Sequence, residues 1–341
     1  MNIEAIHGGP DALGVPLHDL SSNANACGPC PAALRALQAA DARHYPDPAY
    51  TKLAAQLAAW HGVAPARIVP GASGSELIQR LSVAVALQAR GTGPATVWLP
   101  PHAYGDYARA AQAAGLQRVA DAAQAALLWA CEPSSPLGQP QAGLRDMAAA
   151  LNPRQVLVLD QAYEPLRLSG TPSLDAAALE RVWRLITPNK ALGLTGVRAA
   201  YAIAPREADP ALLARVRALA PSWPLGAHGV ALLQGWTGAE AQAWLAGCRA
   251  TLRGWKARQA ALLAAAGWRV EASDANFFVA ARPEFSTAGG LFDMKTWLGD
   301  LRRQGLKLRD CASFGLPGRV RLAVAPPAAQ DALQAALEGR P

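Results

Sequence analysis

The chain reads as an α/β protein. A large unit carries a mostly parallel sheet flanked by helices, and a smaller α+β unit follows it. Three observations predict this. Apolar, strand-like runs alternate with helix-like stretches from residue 31 to about residue 203, the rhythm of a parallel sheet with helical crossovers. One run, Val156-Leu157-Val158-Leu159, is continuously apolar, as in a strand buried on both faces. The residues richest in chemistry stand just after such runs, where parallel sheets take their ligands. They are the Gly71 loop, Pro133–Gly138, Asp160 and Thr187–Lys190.

The elements follow in order. Pro31–Ala39 is helical, and so is Tyr50–Trp60, where Leu53, Leu57 and Trp60 recur at helical spacing. Ile68-Val69-Pro70 is a short strand ending at Gly71. Gly71-Ala72-Ser73-Gly74-Ser75 then opens a helix over Glu76–Arg90. Thr96–Leu99 is a strand stopped by Pro100-Pro101, and Tyr104–Ala114 a helix. The Ala/Gln-rich stretch Ala111–Ala126 is biased but helix-compatible. Leu127–Cys131 is a strand followed by a rigid loop, Glu132–Pro136. Val156–Leu159 ends in Asp160, and Val182–Ile186 and Ala199–Ile203 are further strands. Near Trp223 the texture changes. Pro224–Gly226 interrupts the chain, a long helix covers Glu240–Ala265, and Phe277–Ala280 is a strand. Leu291–Gln304 is a helix and Val320–Val324 a strand. The expected division is an arm over residues 1–40 that belongs partly to the small domain, a large domain over 41–225, and a small domain over 226–341.

Composition excludes several classes. The 341 residues are 51% hydrophobic and 17% charged, which is incompatible with disorder. The net charge of +7 comes from scattered arginines with no basic tail, so nucleic acid is not the expected partner. Apolar runs are too short to span a membrane, and no secretory leader is visible. Five thinly spread cysteines do not make a disulfide framework, so a cytoplasmic protein is expected. Cys27-Gly28-Pro29-Cys30 matches a redox pattern. A polar loop precedes it, so a loop before a helix is preferred to a reactive thiol pair. The six histidines show no metal spacing.

Taken together, an acid (Asp160), a lysine (Lys190), an arginine eight residues later (Arg198) and a glycine-bearing helix start (Gly71–Ser75) meet the needs of pyridoxal phosphate. Such a cofactor needs an amine, a carboxylate for its ring nitrogen, and an anion site. The motifs resemble the fold-type-I pyridoxal-phosphate aminotransferases, especially the branch of histidinol-phosphate aminotransferase and threonine-phosphate decarboxylase. Ser21-Ser22-Asn23-Ala24-Asn25-Ala26-Cys27-Gly28-Pro29 resembles its S-S-N-E-N-P-x-G-P, and His44-Tyr45-Pro46-Asp47-Pro48 its R-Y-P-D-P. Pro101–Tyr107 resembles the segment that carries a ring-stacking aromatic. Val158-Leu159-Asp160-Gln161-Ala162-Tyr163 resembles V-x-D-E-A-Y, and Asn189–Arg198 resembles S-K-A-x-G-L-A-G-x-R. Arg319–Val324 resembles the strand that grips the substrate carboxylate.

The resemblance implies a homodimeric aminotransferase acting on amino and keto acids. Lys190 would be its Schiff-base lysine and proton shuttle. Asp160 would pair with the ring nitrogen, and Tyr163 with the ring oxygen. Tyr104 serves equally as the stacking residue or as a core aromatic. Ala72, Ser73, Thr187 and Arg198 would hold the phosphate, with Tyr45 arriving from the neighbouring subunit. Asn23 lies in the substrate-side loop. Arg321 would hold the substrate carboxylate, with Arg319 and Arg309 as competing candidates. The chain departs from the family at Ser135, which stands where an asparagine bonds the ring oxygen; at Pro188 and Asn189 before the lysine; and at Ala24 and Ala26. His7-Gly8-Gly9 and Arg309–Phe314 resemble the decarboxylase subgroup, which stays open as an alternative activity. A binding protein that keeps the fold is the alternative of another class.

Overall fold

The computed structural model describes residues 7–89, 93–282 and 293–338. A two-residue strand, β1 (His18–Asp19), precedes helices α1 (Pro31–Gln38) and α2 (Thr51–His61). Pro31 opens α1, where a missing N–H goes unmissed. Cys27–Cys30 is loop, and Cys30 is the N-cap of α1. The run at Ile68 forms β2 (Ile68–Gly71), which leads into α3 (Gly74–Gln88). The Ser73 hydroxyl accepts the Glu76 N–H at 3.1 Å, while the Ala72 N–H donates to Glu76 Oε2 at 3.3 Å. This reciprocal capping fixes where α3 starts. Arg90, the expected helix end, lies outside the described residues.

Next come β3 (Thr96–Trp98), α4 (Gly105–Ala113) and β4 (Gln117–Arg118). The helix-compatible stretch Ala111–Ala126 is therefore α-helical only over its first three residues, with a single 3-10 turn at Ala122–Gln124. Gly115 adopts φ +73°, which ends the turn and sends the chain into β4. Then follow β5 (Leu127–Cys131), α5 (Leu144–Ala150), β6 (Val156–Asp160), α6 (Ala176–Leu179), β7 (Trp183–Ile186), β8 (Ala200–Ile203) and α7 (Pro210–Ala218).

The seven strands make one sheet in the order β2-β8-β7-β6-β5-β3-β4. Strand β8 runs antiparallel to both neighbours, and the other pairings are parallel. Alternation assigns the faces. Leu127, Trp129 and Val158 pack on one side with Leu77, Leu81 and Tyr107 of α3 and α4. Leu128, Ala130, Leu157 and Leu159 pack on the other with Leu144 and Ala148 of α5. A sheet covered on both sides explains the apolar run in β6.

The rest of the chain carries α8 (Ala227–Trp236), α9 (Ala239–Ala265), β9 (Arg269–Val270), β10 (Phe277–Ala281), α10 (Met294–Arg303), β11 (Leu306–Lys307), β12 (Arg309–Asp310), β13 (Arg319–Ala323) and α11 (Pro327–Glu338). Helix α10 starts at Met294 because Asp293 caps it, accepting the N–H groups of Lys295 and Thr296. Leu291 and Phe292 of the expected helix lie outside the described residues. Strands β12-β13-β10-β9 form an antiparallel sheet. Strand β1 pairs in parallel with β11, and Asp11 bridges Arg302 (2.8 Å) and Lys307 (2.9 Å). The early segment is thus fastened to late elements. No helix among the described residues is long and apolar enough to cross a membrane.

Two predictions follow from local geometry. Gly193 sits at φ +66° in the turn after Lys190, and a Cβ there would lie 2.5 Å from the Gly28 carbonyl oxygen. Gly193→Ala should cost about 2 kcal/mol, read as a lowered Tm. His61, hydrogen-bonded to Tyr201 at 2.8 Å, is pushed from 6.5 down to about 4 by burial and then by Arg184. The unfolded chain takes up this proton below 6.5 and the folded chain does not until about 4, so stability falls as pH drops across that window. His61→Gln should show a smaller loss in denaturation midpoint than the wild type between about pH 7 and about pH 5.

Candidate active site

A cleft of about 510 Å³ opens at the carboxyl ends of the parallel strands. Its walls come from the loops after β2, β5, β6 and β7, from the β12–β13 region, and from residues 7–10 and 19–22. Asp160 ends the central strand β6 and is buried. The Tyr107 hydroxyl donates to Asp160 Oδ2 at 2.7 Å and the Ala162 N–H to Oδ1 at 2.9 Å. Burial raises the Asp160 carboxyl above its ordinary range; Tyr107, Ala162 and Lys190 oppose that shift.

Lys190 lies in the loop after β7. Its carbonyl accepts the Asn25 N–H at 2.9 Å, and its own N–H donates to Asn189 Oδ1 at 3.0 Å. Both ties hold the backbone and leave the amine to the cleft. Lys190 Nζ stands 5.3 Å from the ring centre of Tyr163, which packs edge-on against Phe277. Tyr104 lines the cleft and meets the Tyr107 ring at 88°. Ser73 and Thr187 line the same wall at the start of α3. Thr187 Oγ1 is buried with no hydrogen-bond partner among the described residues, a polar group that calls for a ligand. Arg198 lines the cleft from an exposed position.

On the opposite wall, Arg309 and Arg321 are register partners on adjacent strands, 5% and 6% exposed. Arg321 donates to the Ser21 carbonyl (2.9 Å) and to Ser135 Oγ (3.4 Å), and its buried Nε has no partner among the described residues. Its guanidinium lies between the rings of Phe277 and Phe314. Arg309 donates to Ser313 Oγ at 2.7 Å. Burial, and then Arg321, pushes Arg309 below the usual guanidinium range. Two buried guanidinium groups thus stand side by side on this wall. Arg319, two residues from Arg321, pairs instead with Glu271 at 2.6 Å.

Three expected residues stand away from these walls. Ala72 does not line the cleft, and its N–H is engaged by Glu76. Asn23 is fully buried and does not line the cleft, with its carbonyl accepting from Asn276. Tyr45 is 77% exposed and stacks on Trp223, outside the cleft. Sequence reasoning assigned no role to Tyr107 or Ser21. For Tyr107 the signal was present: it follows Tyr104 by three residues, one helical turn along the same face.

An amine, a buried carboxylate, a phenol, unpaired hydroxyl capacity at a helix start and two buried arginines fit a planar aldehyde cofactor with a phosphate, facing an anionic substrate. The profile of the family described as aminotransferase class I and II matches residues 15–338. Histidinol-phosphate aminotransferase of Ruegeria pomeroyi is 32% identical over 328 residues, covering 89% of this chain and 86% of that protein. Among solved structures, histidinol-phosphate aminotransferase from Sinorhizobium meliloti in complex with pyridoxal-5'-phosphate superposes with a TM-score of 0.80 at 22% identity, covering 98% of this chain and 94% of that one. L-threonine-O-3-phosphate decarboxylase from Porphyromonas gingivalis gives 0.75 at 20% identity, with 94% and 98% covered. The chain belongs to the aminotransferase class I and II family, and is a pyridoxal-phosphate-dependent aminotransferase of α/β architecture.

Proposed function

We propose that the protein transfers the amino group of a phosphorylated amino compound to a keto acid, as the name of its histidinol-phosphate relatives suggests. The observation that carries this is the facing of two groups across one cleft. Lys190, Asp160 and Tyr163 stand on one side, and the buried pair Arg309 and Arg321 on the other. When bound, pyridoxal phosphate supplies an electron sink for the pair left at the substrate α-carbon.

The chain's own residues do the rest. Lys190 is the amine that would hold the cofactor covalently and move the α-proton. Asp160 would keep the cofactor's ring nitrogen protonated, and Tyr163 would donate to its ring oxygen. Tyr104 would stack on the ring. Ser73, Thr187 and Arg198, with backbone N–H groups at the start of α3, would hold the phosphate. Arg309 and Arg321 would bind the substrate's anionic groups. Ser135, bonded to Arg321, would brace that arginine.

The large domain over residues 41–225 would then supply the cofactor side, and the small domain over 226–341 with the arm over 1–40 the substrate side. Exposed Tyr45, far from its own cleft, supports a homodimer in which it reaches the neighbouring site. Five free cysteines suit a reducing cytoplasm.

A second reading, decarboxylation of a phosphorylated amino acid, has one observation in its favour. His7-Gly8-Gly9 and Arg309–Phe314, the segments that resemble that subgroup, both contribute to the cleft walls. The two reactions differ in which bond to the α-carbon is held for cleavage.

Protein reconstituted with cofactor should show a visible absorption band and consume histidinol phosphate with 2-oxoglutarate. Release of CO2 from threonine phosphate, without amino transfer, would select the second reading. Lys190→Ala should lose both the band and turnover. Arg309→Ala should raise KM for the phosphorylated substrate by about 10- to 100-fold, the worth of a hydrogen bond to a charged group. Sedimentation should give a dimer; a fully active monomer would rule out the shared site.

A further inference from the structure

The end of β6 shows how one residue is made to serve another. Side chains alternate along a strand, so Asp160 projects to the same sheet face as Val158. That face also carries Trp129 and, at the end of β5, Cys131, which is the register partner of Asp160. Helix α4 lies over it, and Tyr107 fills the gap. Tyr107 is 0% exposed, and its ring lies flat on Trp129, with centroids 4.8 Å apart and planes within 8°. Tyr104 closes the other side edge-on at 5.8 Å. The ring has no room to swing, so its hydroxyl has one direction, toward Asp160 Oδ2 at 2.7 Å.

We propose that Tyr107 is a positioning residue for Asp160: the phenol, locked between Trp129 and Tyr104, fixes the carboxylate's rotation and keeps it ionised toward the cleft. The proposal rests on the reading of Asp160 as the group that serves the cofactor's ring nitrogen.

The chemistry supports a one-way donor. Burial, and then the Asp160 charge, raises the Tyr107 phenol well above its usual range. It therefore keeps its proton and always donates. Besides the Ala162 N–H on Oδ1, three side chains bear on the carboxylate: Tyr107, Cys131 and Lys190. Cys131 is raised by burial and then by Asp160, so it stays a neutral thiol. Lys190 contributes attraction. Among these, Tyr107 bonds the carboxylate side chain directly and stands outside the reacting atoms.

The test is a double-mutant cycle on cofactor binding by the apoprotein. Tyr107→Phe keeps the stack on Trp129 and removes only the hydroxyl; Asp160→Asn removes the charge it serves. Tyr107→Phe should weaken pyridoxal-phosphate affinity about tenfold, as expected for losing a hydrogen bond to a carboxylate. It should lower kcat while leaving KM for the amino donor within about twofold. In the Asp160→Asn background the same change should cost less than about twofold, because the two act through one contact. Equal losses in both backgrounds would mean that Tyr107 merely supports the fold, and would overturn the proposal. So would a Tyr107→Phe protein that binds like the wild type. If that variant fails to melt cooperatively, Trp129→Phe carries the same cycle, since it frees the ring but leaves the hydroxyl. Wild-type protein that binds no cofactor would instead sink the reading of the site.

Discussion

Burying a carboxylate at the end of a central strand is unfavourable, because the charge leaves water for a medium that solvates it poorly. The arrangement around Asp160 answers that cost. A phenol and a backbone N–H each bond one of its oxygens, and a lysine amine contributes attraction. The sheet must be covered on both faces for the site to be dry, α4 must lie where Tyr107 can reach, and the loop after β7 must return Lys190 to the cleft. Strand order and helix placement are thereby tied to one buried carboxyl group.

A second charge problem stands opposite. Arg309 and Arg321 are neighbours in an antiparallel pair, buried and mutually repelling. Aromatic rings and carbonyl or hydroxyl acceptors steady them. This wall of the cleft therefore holds two guanidinium groups in place, and an anionic group bound there would ease their repulsion. Beneath the loop that carries Ser135, Arg167 gathers Glu132 (3.0 Å), Glu164 (2.8 Å) and Asp274 (3.4 Å). Asp274 precedes β10, so this knot fastens the elements that carry Arg321 to those that carry Asp160.

Much of this was legible in the sequence, and the exceptions have physical causes. Lys190, Asp160 and Thr187 could be placed together because they follow strands, and parallel strands deliver their ends to one edge. The antiparallel direction of β8 could not be read, since a fully buried strand has the same apolar pattern in either direction. Strands β1, β4, β11 and β12 span two residues each, too short for any periodicity to register. Arg319 and Arg321 share a face, so alternation could not choose between them. Roughly 7 Å of rise along the strand decides: it takes Arg319 to Glu271 and leaves Arg321 in the cleft. Ser135 read only as a departure from the family's asparagine. It bonds Arg321, a partner 186 positions away that only the folded chain brings near.

The pairing of β1 with β11, reinforced by an Asp11–Arg302 contact between residues 291 positions apart, bears on how the chain is made. As translation proceeds, residues 8–20 emerge long before the elements that accept them, which follow some 290 positions later. Sequential folding from the ribosome can complete the seven-stranded sheet, but this segment has to wait with its backbone unpaired, and Leu13, Val15 and Leu17 stay in solvent even after it docks. Such long-range closure is slow, and it leaves an apolar, strand-like stretch open to wrong pairing meanwhile. The arrival of this segment at β11 also puts Ser21 beneath Arg321. A chain caught before that step would be compact and largely structured, yet would lack one wall of its cleft.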